Sequence, residues 1–183
     1  MTIPRLSIAA FLFLPLLAQA AQKSSFEAET LTLFNDAAEK VMSLAGAMPA
    51  EKYGWRPASG VRSAGETYVH IANGNRYLLT FVSKKPLNRT EMGSLIKANE
   101  EREKTLAEKG QILDDLKESF EEVRKAAKNL SESELRRPVK LFNTDTTVRG
   151  VFLVITTHIS EHLGQSIAYA RMNGVTPPWS AGQ

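Results

Sequence analysis

Cysteine is absent from all 183 residues. That gap excludes disulfides, cysteine nucleophiles, iron–sulfur clusters and cysteine-ligated zinc. Histidine is scarce, with three residues, and it is the main transition-metal ligand left to the chain. Eleven glycines and eight prolines are too few for a collagen-like or low-complexity sequence. Neither sign of charge dominates: 23 basic and 20 acidic residues leave +3, spread along the chain instead of gathered in a stripe. A pI near 9.2 without a basic cluster gives no support to a nucleic-acid partner. Nucleotide-binding loops are missing too. The segment Gly60-Val61-Arg62-Ser63-Ala64-Gly65-Glu66-Thr67 has the glycine spacing of a P-loop, but Glu66 stands where the lysine must be and would repel phosphate. No G-x-G-x-x-G occurs. What remains, 43% hydrophobic and 23% charged, is the composition of one globular domain with a removable segment.

That segment is residues 1–20, which read as a signal peptide. Arg5 supplies a basic start, residues 6–18 are apolar apart from Ser7 and Pro15, and Ala18-Gln19-Ala20 forms an A-x-A cleavage pattern. The apolar run is too short for a membrane anchor across a hydrocarbon core of about 30 Å. No later segment approaches spanning length without charges. The expectation is a mature chain of residues 21–183, forming one domain, periplasmic or secreted, with no stable membrane span.

Helical periodicity organises that chain. Ser24 with Glu27 reads as a capping box, followed by Leu31, Phe34, Ala38, Val41, Ala45 and Met48 at three- and four-residue steps until Pro49. A second capping box at Ser63 and Glu66 opens a helix to about Val82, stopped by Lys84-Lys85-Pro86. Residues 90–110 are charge-rich and read as a solvated helical face or a long connection. Leu113, Leu116, Phe120, Val123, Ala127 and Leu130 then form a seam for packing on other helices. After a connection over residues 131–147, the last helix runs to about Asn173. The near-continuous apolar residues Val148 and 151–155 predict burial of its first half on most sides. Gly174 is placed as its left-handed cap, with Pro177-Pro178 beyond. No stretch shows convincing two-residue alternation. The fold class is all-α, a four-helix bundle.

His158 and His162 lie four apart in the last helix, about 40° apart on one face at roughly 100° per residue. Two imidazoles so placed can reach one divalent metal. His70 lies inside the second helix and can point at the same interior. Three neutral histidines suit Zn²⁺, Ni²⁺ or Fe²⁺ and leave a coordination position open. His158-Ile159-Ser160-Glu161-His162 also matches the H-x-x-E-H of inverted zinc peptidases, but these need a downstream carboxylate ligand and no Asp or Glu follows Glu161. Glu66, one turn before His70, is a candidate acceptor for an imidazole N–H. Asn73 and Tyr77, about one and two turns beyond His70, are candidate pocket residues.

Trp55-Arg56-Pro57, the run from Gly60 through Glu66 to His70-Ile71-Ala72, and the closing segment Thr157-His158-Ile159-Ser160-Glu161-His162-Leu163-Gly164-Gln165, continuing through Tyr169-Ala170-Arg171 to Gly174, together resemble the DinB-like family of four-helix metal-binding proteins. The resemblance implies a bundle interior with a divalent metal on His70, His158 and His162, for which the three imidazoles point to zinc or nickel first and iron next. It also implies frequent assembly as a homodimer. Some relatives are thiol-dependent transferases or isomerases. The signal peptide departs from that pattern, because small thiol cofactors are chiefly cytoplasmic.

The expectation is therefore an exported metal-dependent hydrolase or transferase acting on a small substrate, with a water or thiol activated by the metal. The alternatives are a non-catalytic metal- or ligand-binding module and an all-helical protein with incidental histidines.

Overall fold

Amphipathic periodicity becomes four long helices in the computed structural model, which describes residues 14–128, 130–180 and 182, with side chains from residue 29 onward. In chain order the helices are α1 (Leu14–Ala47), α2 (Ala64–Val82), α3 (Arg89–Thr105), α4 (Lys109–Ala127), the single turn α5 (Glu132–Leu135) and α6 (Val148–Met172). A two-stranded antiparallel hairpin, β1 (Pro138–Leu141) and β2 (Thr144–Thr147), precedes α6. Helix α1 packs on α4 and α6, and α2 packs on the same two, so α1 stands diagonally opposite α2, and α4 opposite α6. Phe34, Val41 and Leu44 of α1 meet Tyr68 and Ile71 of α2, Leu116 and Phe120 of α4, and Ile155 and Ile159 of α6 in one core. Phe34 meets Phe120 edge-to-face at 5.9 Å. Each such side chain contributes roughly 1.5–3 kcal/mol by leaving water.

The caps fall largely where the residues place them. Ser63 accepts from Glu66 N while Glu66 accepts from Ser63 N, so both orphan donors at the start of α2 are satisfied. Thr147 caps α6, and Gly174 follows it at φ +75°, a conformation glycine adopts without steric cost.

Four expectations need correction. Helix α1 runs unbroken through Ser24 and Glu27, so that pair does not mark its start, because apolar and alanine-rich residues on both sides sustain the helix. Of the expected signal peptide, residues 1–13 lie outside the described residues. The connection over residues 131–147 contains α5 and the hairpin. Strands of four residues offer too little alternation to register as a period, and the turn residues Phe142 and Asn143 have φ of +49° and +66°, the left-handed pair a tight hairpin requires. That conformation costs a non-glycine residue about 1–2 kcal/mol. Leu153 is 51% exposed, because the bundle covers only one side of the first half of α6. Residues 90–110, finally, are more than solvent-facing. Helix α3 has no buried residue, yet it docks on α2 through polar side chains. Among the described residues, no helix is long and apolar enough to cross a membrane.

Candidate metal centre

Helices α2 and α6 pack face to face, and that contact brings His70 against His158 and His162. One nitrogen from each of the three lies within 4.8 Å of the others. Nε2 of His70 lies 3.4 Å from Nε2 of His158. Ile155 and Ile159 are fully buried and fix the rotation of α6, so that His158 and His162 look toward α2. Gly74 makes the approach possible. A Cβ there would stand 2.4 Å from Cε1 of His158, so the imidazole occupies the space a side chain would fill. Glycine inside a helix costs about 1 kcal/mol relative to alanine, an expense that this close approach explains.

Partners orient two of the rings. His70 Nδ1 lies 2.8 Å from Glu103 Oε1; an ionised carboxylate only accepts, so Nδ1 carries the proton and Nε2 keeps its lone pair. His162 Nδ1 lies 2.8 Å from Gln165 Oε1, and the same amide donates to the Tyr169 hydroxyl at 2.8 Å, which fixes its oxygen toward the histidine. His162 Nε2 is thereby left with its lone pair too. His158 Nδ1 is buried without a hydrogen-bond partner. Arg62 Nε donates to Glu103 Oε2 at 2.6 Å, so both carboxylate oxygens are engaged.

Electrostatics favour the neutral form of His158 and His162. Burial pushes His158 down to about 4, with His162, His70 and Arg62 adding to the effect. His162 is lowered as well, again chiefly by burial, with its Gln165 hydrogen bond opposing. Burial alone would raise Glu103, but hydrogen bonds from His70 and Arg62 outweigh it and hold the carboxyl below the usual range.

The donor set fits a divalent transition metal. Two nitrogen ligands of a tetrahedral site with metal–nitrogen bonds of about 2.0–2.1 Å lie about 3.3–3.4 Å apart, the spacing of His70 and His158. Without a cation, a proton on His158 Nε2 can bridge that gap to His70 Nε2; a metal would take its place. A carboxylate behind one histidine and an amide behind another are the supports metal-ligating imidazoles use.

The remaining candidates fall elsewhere. Glu66 does not reach His70: its carboxylate closes the capping box and accepts from Arg56 Nη2 at 2.8 Å. The acceptor at His70 is Glu103, which sequence reasoning missed because it sits in the charge run Glu100-Glu101-Arg102-Glu103-Lys104. Asn73, only 2% exposed, donates to Asn99 O and accepts from Arg102, anchoring α3. Tyr77 lines a cavity that reaches His70 and His158. Gln165 also went unassigned, although its place three residues after His162, one turn along the same face, was the available signal.

Fold and site together define a helical-bundle protein with a histidine-lined pocket suited to a metal. The sequence profile of the DinB superfamily matches residues 33–166, and the chain belongs to that family. No curated protein matches the chain significantly. Among solved structures, a DinB-like protein from Bacillus cereus is similar with a TM-score of 0.64 at 16% identity, covering 81% of this chain and 93% of that one. A DinB-like protein of Bacillus subtilis, YjoA, gives 0.57 at 20% identity over 81% and 94%. YfiT from Bacillus subtilis gives 0.62 at 15% identity over 96% and 95%, and is described as a probable metal-dependent hydrolase with an unusual four-helix bundle topology. At these identities the likeness shows the fold.

Proposed function

We propose that this protein is an exported metal-dependent hydrolase or transferase for a small substrate, with one divalent transition metal on His70, His158 and His162. Zinc or nickel suits three neutral imidazoles best, and iron next. The observation that carries the reading is the convergence of three histidines, two of them preset with Nε2 lone pairs turned to the trio, beside an open cavity. The description of YfiT favours hydrolysis over transfer. When bound, such a metal acts as a Lewis acid and makes a nucleophile available near neutral pH. The chain's own residues hold the site in shape. Glu103 fixes the tautomer and orientation of His70, the Gln165–Tyr169 pair does the same for His162, and Arg62 keeps Glu103 ionised and in place.

A second reading, a non-catalytic metal- or ligand-binding module, is favoured by one observation. Glu103 has both oxygens engaged, so the carboxylate nearest the trio is a positioning group and not a free base.

Mass-spectrometric metal content of the untagged protein tests the site. About one metal per chain is expected, and near none in His158→Ala. A parent that is metal-free and also refuses Zn²⁺ and Ni²⁺ on titration overturns the reading. Hydrolytic and transfer assays on the loaded protein then separate enzyme from module: an enzyme loses turnover in His158→Ala while keeping its fold. Export rests on the basic, apolar and A-x-A segments of residues 1–20 and is tested by fractionation of cells expressing the full chain. Homodimer formation, implied by family resemblance, is tested by sedimentation of the full-length protein.

A further inference from the structure

We infer that the substrate is an amphiphile: a compact apolar body, ring-shaped or branched, joined to the polar group that reaches the histidines. The inference rests on the metal-site reading and adds what the surroundings of the site select. A cavity of about 340 Å³ opens onto His70 and His158. Away from them its exposed wall is mostly apolar, built by Tyr77 and Leu78 of α2, Ile96 of α3, Val154 of α6 and Phe142 of the hairpin turn, with Glu100 of α3 among its polar members. An apolar cavity of about 150 Å³ already holds a benzene ring, so this chamber takes a body up to about twice that size.

The polar groups of the chamber are largely committed to one another. The Asn73 amide is taken by Asn99 and Arg102, and the Glu103 carboxylate by His70 and Arg62. A sugar-like body would therefore carry unpaired hydroxyls into it, at a cost an apolar body avoids. The contrast with the other side of the Arg62–Glu103 pair is sharp. There a second cavity, of about 680 Å³, is lined by Arg56, Glu66, Lys104 and Gln165. Apolar lining is thus a property of one chamber and not of the whole surface around the trio.

Phe142 gives the second line of argument. It sits in a turn position that favours asparagine or glycine, at φ +49°, and is 64% exposed. Its ring lies nearly parallel to that of Tyr77, 6.1 Å between centroids, and 6.3 Å from that of Phe81. It takes no part in the core. An exposed aromatic in an unfavoured backbone conformation at the mouth of a cavity is an outlier that a ligand contact explains.

Two binding measurements test this. Acetohydroxamate, hexanohydroxamate and 3-phenylpropanohydroxamate, which share a metal-chelating head, are titrated calorimetrically into the zinc-loaded protein. Affinity should rise about threefold to fourfold per added methylene. Phe142→Ala should cut the gain of the phenyl compound by about fivefold or more, far more than it shifts acetohydroxamate, as expected when aromatic contact area is removed. In the second measurement, 4-phenylbutan-1-ol is added to metal-free protein and the methyl resonances of Leu78, Ile96 and Val154 are followed; they should shift, and glucose should leave them unmoved. Failure of the metal-site reading appears as absent zinc uptake, and the alcohol titration then decides the chamber alone. Affinities independent of the tail, a tail gain unchanged in Phe142→Ala, or methyls that ignore phenylbutanol each overturn the inference.

Discussion

The four long helices and α3 are held by opposite kinds of force. The bundle closes on buried aromatic and aliphatic side chains, whereas α3 has no buried residue and docks through Glu103–His70, Glu103–Arg62, Asn99–Asn73 and Arg102–Asp115. Apolar burial is non-directional and sets the fold, while charge-assisted hydrogen bonds are directional and fix how α3 is aimed. The site lies where the two meet. Its histidines stand on helices the core makes rigid, and α3 adds the carboxylate that aims one of them.

The largest effect that separates the two regions is a cavity in the core. Phe120→Ala should lower global stability by about 3–5 kcal/mol in denaturant unfolding, and an effect under about 1 kcal/mol would show that the bundle does not depend on this packing. Next comes Gly74→Ala. The added methyl meets His158 Cε1 at 2.4 Å, so the imidazole must leave its place. Metal affinity should fall more than about 100-fold, beyond what loss of an outer-shell partner costs. Stability of the metal-free chain should hold or rise, since alanine is the better helix former. Unaltered metal binding in this variant would contradict the packing of α6 on α2.

A smaller and local effect is expected for Arg102→Ala, which removes the contacts of α3 to Asp115 and Asn73. Losing hydrogen bonds to a charged group is worth about 1.5–3 kcal/mol. Amide exchange in α3 should therefore quicken by about 10- to 100-fold, while exchange in α1 and α4 stays near its parent rate. Uniform acceleration throughout would mean that α3 belongs to the same cooperative unit as the core. The smallest effect concerns pH. Glu134 is held down to about 2 by Lys84 first and then by Ser131. Its folded value lies below its unfolded one, so its stabilisation is complete above about 4.5 and is lost as pH falls toward about 2. In Glu134→Gln the acid limb of the melting profile should flatten slightly between those values; an unchanged limb would show that the ion pair is fully screened.

The same division of forces decides what could be read from the sequence. Apolar periodicity drew the seam through Leu116, Phe120 and Val123, and capping chemistry placed the start of α2 at Ser63, because both act between neighbours in the chain. The meeting of His70, His158 and His162 was legible as well, because apolar periodicity marked both helices that carry them as core-facing. Glu103 was not. It belongs to a helix with no apolar face, and only the docking of α3 tells it from Glu100 or Glu101. Glu66 looked nearer to His70 in sequence, but the capping box and Arg56 take both its oxygens. The hairpin stayed hidden behind strands too short for a period, as did the role of Phe142 at its tip.

The second helix of the bundle packs against the last, and one consequence concerns timing. His70 and His158 are separated by 88 positions and meet only once α6 has settled against α2. A chain emerging from the ribosome or threading across a membrane carries His70 long before its partners, and a partial chain cannot close the site. Full coordination would therefore require the contact of α6 with α2 to be in place. A captured ion would report that the whole chain has arrived, and it would lock the final helix against leaving.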